Sequence, residues 1–152
     1  MGESVKILLL DVDGVLTDGK VYVAHDGERF KAFNSRDNRA IAEFIARGWE
    51  VHLVSASKWP GLKQFSENTG AQVWPHNSKT LQAIHEITRG QPYVAVGDDV
   101  FDVEMLDGAE TAFVPADCDP LLEIQPGRRF VLESKGGQGV VAELARRYFG
   151  GR

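Results

Sequence analysis

Two groups of carboxylates carry most of the chemistry open to this chain. Asp11 and Asp13 stand one residue apart, and Asp98, Asp99 and Asp102 fall within five positions of each other. Carboxylates this close repel unless a cation or a shared proton neutralises them, and the oxygen ligands of aspartate suit Mg2+. Two other features could join them. Ser55-Ala56-Ser57-Lys58 offers hydroxyls and a cation, and Lys79 follows His76-Asn77-Ser78.

Short apolar runs deliver these residues. Val5 to Leu10 is the length of a strand buried on both faces, and it ends at Asp11. In a strand, residues two apart point the same way, so Asp11 and Asp13 can converge, while Gly14 lets the chain leave sharply. Trp49 to Val54 reads as a second buried strand ending at Ser55, and Tyr93 to Val96 as a third delivering Gly97-Asp98-Asp99. Gln72 to Trp74, Thr111 to Val114 and Arg129 to Leu132 are further short strands, the last two separated by Pro115 and a turn at Asp117 to Pro120. Helical patterns lie between them. Ser35 is placed to cap a helix over 36–47, Pro60 opens one reaching about Asn68, and Val140 to Tyr148 closes the sequence pattern. Asn77 or Ser78 caps a helix over 79–89, which sets Lys79 in its first turn. A cation there opposes the helix dipole, a reason to suspect a task for it. Alternating strands and helices predict an α/β fold, a central parallel sheet with helices on both faces and ligands at the carboxyl edge of the strands.

Two β-like stretches, Lys20 to Val23 and Arg29 to Phe33, flank Asp26-Gly27. They predict a hairpin over about 20–33, directly after the first strand. An isolated two-stranded hairpin is marginal in water, so it needs a packing partner.

The length of 152 residues fits one domain with no room for a separate cap. A formal net charge of −5 argues against a nucleic-acid binder, though a divalent cation would still allow an anionic substrate. Cys118 is the single cysteine, so no internal disulfide forms; with no apolar run long enough to span a membrane, this predicts a cytoplasmic protein.

Asp11-Val12-Asp13-Gly14-Val15-Leu16-Thr17 resembles motif I of the haloacid-dehalogenase-like phosphatase superfamily, a Rossmann-like fold. The later strand ends match its remaining motifs in order. The resemblance implies Asp11 as nucleophile, forming an aspartyl-phosphate, and Asp13 as general acid and base. It implies Ser55 as a donor to a phosphoryl oxygen and Lys79 as the cation beside nucleophile and phosphate. The Mg2+ site it implies comprises Asp11, Asp13 through its main-chain carbonyl, Asp98, and Asp102 through water, with Asp99 orienting Lys79. Over nearly the whole chain the sequence resembles the capless branch typified by 3-deoxy-D-manno-octulosonate 8-phosphate and nonulosonate 9-phosphate phosphatases. The hairpin, Lys31-Ala32-Phe33-Asn34-Ser35-Arg36-Asp37 and Gly136-Gly137-Gln138-Gly139 carry that likeness. It implies a homotetramer joined through the hairpins, and a substrate, a small phosphorylated metabolite, met by Arg36, Asp37, Ser55, Ala56, Lys58 and Lys79.

The chain departs from that branch at two cations. Ser55-Ala56-Ser57-Lys58 stands where Thr-Gly-Arg-Lys is usual, and Gln138 where Arg is common. An Arg fork binds a carboxylate in a way that Ser or Gln cannot. A nucleotide or another small phosphate is therefore an alternative leaving-group class, which Trp59 and Trp74 could serve by stacking. A phospho-accepting receiver module is disfavoured, because the strand ending at Ser55 lacks an acceptor Asp. A catalytically silent assembly protein is disfavoured by the full set of chemical residues.

Overall fold

Ile7–Leu10 (β1) is fully buried and forms the centre of the sheet. The structure, a computed structural model, describes residues 6–55, 59–74, 79–124 and 129–150. After β1 come Tyr22–Val23 (β2), Arg29–Phe30 (β3), Ser35–Ala46 (α1), Glu50–Val54 (β4), Gly61–Thr69 (α2) and Gln72–Trp74 (β5). Leu81–Thr88 (α3), Val94–Val96 (β6), a 3-10 turn at Val100–Asp102, Val103–Gly108 (α4), Thr111–Val114 (β7), Pro120–Ile124 (α5), Arg129–Val131 (β8) and Val140–Phe149 (α6) follow. Six strands form one parallel sheet in the order β5-β4-β1-β6-β7-β8, while β2 and β3 pair only with each other. The chain runs outward from β1 to β5, then returns to lay β6 on the other side of β1. Such reversal points are where open α/β sheets open a crevice at their carboxyl edge.

The unbroken apolar character of β1 has a direct cause. Leu8 and Leu10 face a core built from Phe44, Leu53, Val141 and Leu144, and Ile7 and Leu9 face a second core built from Ile84, Ile87, Met105 and Leu106. Each such side chain contributes about 1.5–3 kcal/mol through burial. The α/β sheet with helices on both faces and the hairpin after β1 are thus as the sequence predicts. No helix among the described residues is long and apolar enough to cross a membrane.

Several boundaries differ from expectation. The paired part of the hairpin is two residues per strand, Tyr22 opposite Phe30 and Val23 opposite Arg29. The α1 cap is Asn34, whose Oδ1 accepts from the Arg36 amide at 2.8 Å, so Ser35 is already helical. The α3 cap is Thr80, accepting from the Ala83 amide at 3.2 Å, so Lys79 lies just before the helix rather than in its first turn; Asn77 and Ser78 lie outside the described residues. The 3-10 turn, α4 and α5 have no counterpart in the sequence reading. The first of these starts on Asp99, whose side chain accepts from the Phe101 amide, and α5 follows Asp119, whose Oδ1 accepts from the Leu121 amide.

Candidate active site

Asp11 is the first residue past β1, and its amide still donates to the Val96 carbonyl of β6 at 3.0 Å. This fixes its side chain between the two central strands, where it is buried. Lys79 reaches it from the segment before α3. The ammonium lies 2.7 Å from Asp11 Oδ1 and 2.7 Å from Asp102 Oδ1, bridging the two strand ends. The second Asp102 oxygen accepts from the amides of Asp98 and Asp99 at 3.0 and 3.2 Å. Asp102 therefore shapes the loop and orients Lys79; Asp99, expected to orient Lys79, caps the 3-10 turn instead.

Glycine is required where Asp98 crosses the first loop. Gly14 has φ +86°, and a Cβ there would lie 1.8 Å from Asp98 Oδ2. The loop around Gly14 is held from within by Thr17, whose buried Oγ1 accepts from the Gly14 and Gly19 amides at 3.3 and 3.1 Å. It is held from outside by the segment before α6. The Gly137 amide donates to the Val15 carbonyl at 3.0 Å, and a Cβ on Gly136 would lie 2.0 Å from the Gly14 carbonyl oxygen.

Side-chain oxygens of Asp11, Asp98 and Asp102 all lie within 4.8 Å of one another. Three carboxylates against one ammonium leave two negative charges together. The electrostatics register this crowding. Burial first, then Asp102, pushes Asp11 well above the usual carboxylate range despite Lys79. Asp98 is pushed up to about 6, again mainly by burial, and it stands near enough to Asp11 to share a proton. Burial disfavours the Lys79 ammonium, yet Asp11 and Asp102 outweigh it and raise its pKa. An all-oxygen donor set with this excess of negative charge fits a hard divalent cation, which would replace the shared proton.

Asp13 lines the same cleft as Asp11 but has a different partner. Its Oδ1 accepts from Lys31 Nζ at 2.7 Å, a side chain that follows β3 and is only 9% exposed. Asp11, Asp13, Gly19, Lys79, Asp98, Asp99 and Phe101 line a cleft of about 230 Å³. That volume accommodates a phosphoryl group and a cation, so a larger leaving group must extend to the rim, where Phe101 is 76% exposed. A larger cleft of about 510 Å³ lies near Lys6, Trp49, Tyr93 and Glu110, residues that precede strands, and hence at the opposite edge of the sheet.

The expected substrate residues fare unevenly. Ser55 is buried at the end of β4, on the catalytic edge. Ala56 and Lys58 lie outside the described residues. Arg36 is exposed on α1 and lines a groove with Arg39, Glu43 and Arg146, between α1 and α6. Asp37 does not face substrate. It is completely buried, and its Oδ1 accepts from the Val141 and Ala142 amides at 2.9 and 3.1 Å. Gly139, the residue before α6, has no side chain to cap that helix, and Asp37 supplies the acceptor from across the core. The tryptophans are absorbed in packing: Trp59 stacks on Phe33, and Trp74 Nε1 donates to His52 Nδ1 at 2.8 Å. Lys31, Thr17 and Gly136 were not singled out as site residues from the sequence. All three lie in stretches that carry the family resemblance, Thr17 at the end of motif I, Lys31 opening the run to Asp37 and Gly136 opening the glycine run, which is the signal that could have found them.

No family model matches the sequence. The 3-deoxy-D-manno-octulosonate 8-phosphate phosphatase of Yersinia pestis is 30% identical over 147 residues, covering 93% of this chain and 78% of that protein. The crystal structure of a phosphatase of that name from Yersinia pestis superposes with a TM-score of 0.85 at 30% identity, over 93% of this chain and 79% of the other. The cobalt-bound form of the corresponding Haemophilus influenzae phosphatase superposes with a TM-score of 0.84 at 25% identity, over 95% and 86% of the two chains.

Proposed function

The chain belongs to the haloacid-dehalogenase-like family of 3-deoxy-D-manno-octulosonate 8-phosphate phosphatases, which are phosphoric monoester hydrolases, and from that premise we propose a Mg2+-dependent phosphatase of a sugar-acid phosphate. In this reading the phosphoryl group passes through Asp11. The observation that carries it is the double contact of Lys79 with Asp11 and Asp102 beside Asp98. It assembles a nucleophile, a cation and an acidic ligand set from three separate strand ends.

Asp11, Asp98 and, through water, Asp102 would hold the metal, with the Asp13 main-chain carbonyl as a further ligand. Mg2+ supplies charge neutralisation for the nucleophile and the phosphoryl oxygens. The chain's own groups do the rest. One Asp11 oxygen attacks phosphorus, Lys79 favours the ionised form of that carboxylate against the effect of burial and offsets charge on the transferring group, and Ser55 donates to a phosphoryl oxygen. Asp13 protonates the leaving oxygen and later takes a proton from the water that releases phosphate. The names of the relatives support a leaving group of the octulosonate type, and the engagement of Trp59 and Trp74 in packing weakens the case for a nucleotide. The exposed apolar hairpin, with Val21, Val23 and Phe30 each about half exposed or more, supports association through hairpins into a homotetramer.

Phosphate release from a panel of sugar-acid phosphates, other sugar phosphates and nucleotides, with and without Mg2+, tests the reading. Metal-dependent turnover fastest on a sugar-acid phosphate and lost in Asp11→Asn supports it. Turnover by Asp11→Asn equal to wild type, or activity confined to nucleotides, refutes the mechanism or the substrate class respectively. The mass of the same preparation by sedimentation equilibrium tests the tetramer, which a monomer would exclude.

A further inference from the structure

Lys31 is placed unlike a surface lysine. It is the first residue after the hairpin strand β3, yet its side chain is 9% exposed. Its ammonium lies over the Trp59 ring at 5.6 Å from the centroid. Trp59 in turn stacks on Phe33 at 5.5 Å, and Phe33 packs on Phe65 at 4.5 Å. An ammonium withdrawn from water needs an acceptor, and a rigid aromatic wall fixes where it can find one. That acceptor is Asp13 Oδ1, at 2.7 Å. The contact joins the base of the hairpin to the carboxyl group assigned to proton transfer, while Asp11, Asp98 and Asp102 form their own cluster.

We propose that Lys31 is the positioning residue for Asp13, an inference that rests on the phosphatase reading above. With Oδ1 engaged by Lys31, Oδ2 is the oxygen left to exchange a proton with the leaving group, and the carboxyl plane is fixed before substrate arrives. As Asp11 forms its bond to phosphorus, the bond from phosphorus to the leaving oxygen breaks. The electron pair stays on that oxygen, which takes the proton from Asp13 Oδ2. Asp13 becomes a carboxylate beside an ammonium already in place, so the charge created in the step meets a preorganised counter-charge. In the second step water attacks phosphorus, gives its proton back to Asp13, and the bond to Asp11 breaks. The cycle thereby returns the carboxyl group to its starting form.

The test separates positioning from mere structure by the leaving group. An alkoxide needs a proton as it departs, and p-nitrophenolate does not. Single-turnover release of the alcohol from a sugar phosphate and of nitrophenolate from p-nitrophenyl phosphate is measured with Lys31→Met, Lys31→Arg and, as reference, Asp13→Asn, each first shown to be folded by its melting transition. We expect Lys31→Met to slow alcohol release by about 10²-fold, the lower range for a lost general acid, and nitrophenolate release by no more than about threefold. Lys31→Arg, which keeps the charge, should recover part of the loss. Equal loss on both substrates, or wild-type alcohol release by Lys31→Met while Asp13→Asn is impaired, overturns the inference and leaves the phosphatase reading standing. An Asp13→Asn enzyme with no leaving-group dependence overturns the role of Asp13 itself, and this inference with it.

Discussion

Replacing Asp37 with alanine should cost stability and spare substrate binding. Asp37 accepts from two amides at the start of α6, those of Val141 and Ala142, from a position in α1 more than a hundred residues away. A hydrogen bond to a charged group contributes about 1.5–3 kcal/mol net, which for two bonds sets an upper range of about 3–6 kcal/mol. Against this, burial of the carboxylate itself costs free energy, as its raised pKa records, and truncation removes that cost. Loss of an ordinary helix cap costs about 0.5–2 kcal/mol. The expected loss is therefore about 2–3 kcal/mol. For a domain of this size that lowers Tm by about 5–10 °C. Asp37→Asn keeps an acceptor oxygen and should lose about half as much. Thermal melts give Tm, and steady-state kinetics well below the transition give KM. A Tm within about 2 °C of wild type together with a KM raised tenfold would show that Asp37 meets the substrate after all.

Two further outcomes follow from the geometry. Gly14→Ala forces a side chain into a left-handed conformation, at about 1–2 kcal/mol, and against Asp98, so Mg2+ affinity by calorimetric titration should fall about 10–100-fold; unchanged affinity would show that Asp98 does not hold the metal. His52 is buried, accepts from Trp74 Nε1 at Nδ1, and has its pKa lowered, chiefly by burial. Its folded form resists protonation, so its stabilising effect is complete above the unfolded value of about 6.5 and is lost as pH falls through that value towards the lower folded one. The Tm difference between wild type and His52→Gln should therefore shrink between about pH 7.5 and pH 5. A difference constant over that range would mean that His52 titrates normally in the fold.

The parts of the site legible in the sequence are those whose signal is local. An aliphatic strand followed at once by acids identifies Asp11 and Asp98, because the same few residues set both burial and chemistry. Lys79 was singled out for its position in a helix that in fact starts after Thr80; its true mark is a contact with two strand ends distant in sequence. Asp37 shows the converse. A carboxylate after Ser35-Arg36 reads as a first-turn or substrate residue, and nothing within reach of it in the chain announces a capless helix at Val140. Lys31 meets Asp13 only because the hairpin folds back across the strand end, a closure that no periodicity encodes. The turn expected at Asp117 to Pro120 is present and leads directly into α5, a helix with no local mark in the sequence, which Leu122 anchors in the second core.

The contact of Gly136 and Gly137 with the loop after β1 has a consequence for the order of biosynthesis. Residues 11–19 are made more than a hundred residues before the partner that fixes their backbone, through the Val15 carbonyl and the space above the Gly14 carbonyl. A nascent chain short of Gly137 therefore carries the nucleophile without the support that sets its angle. The geometry of the loop that carries the nucleophile is completed only when this segment has been made and α6 docks on Asp37.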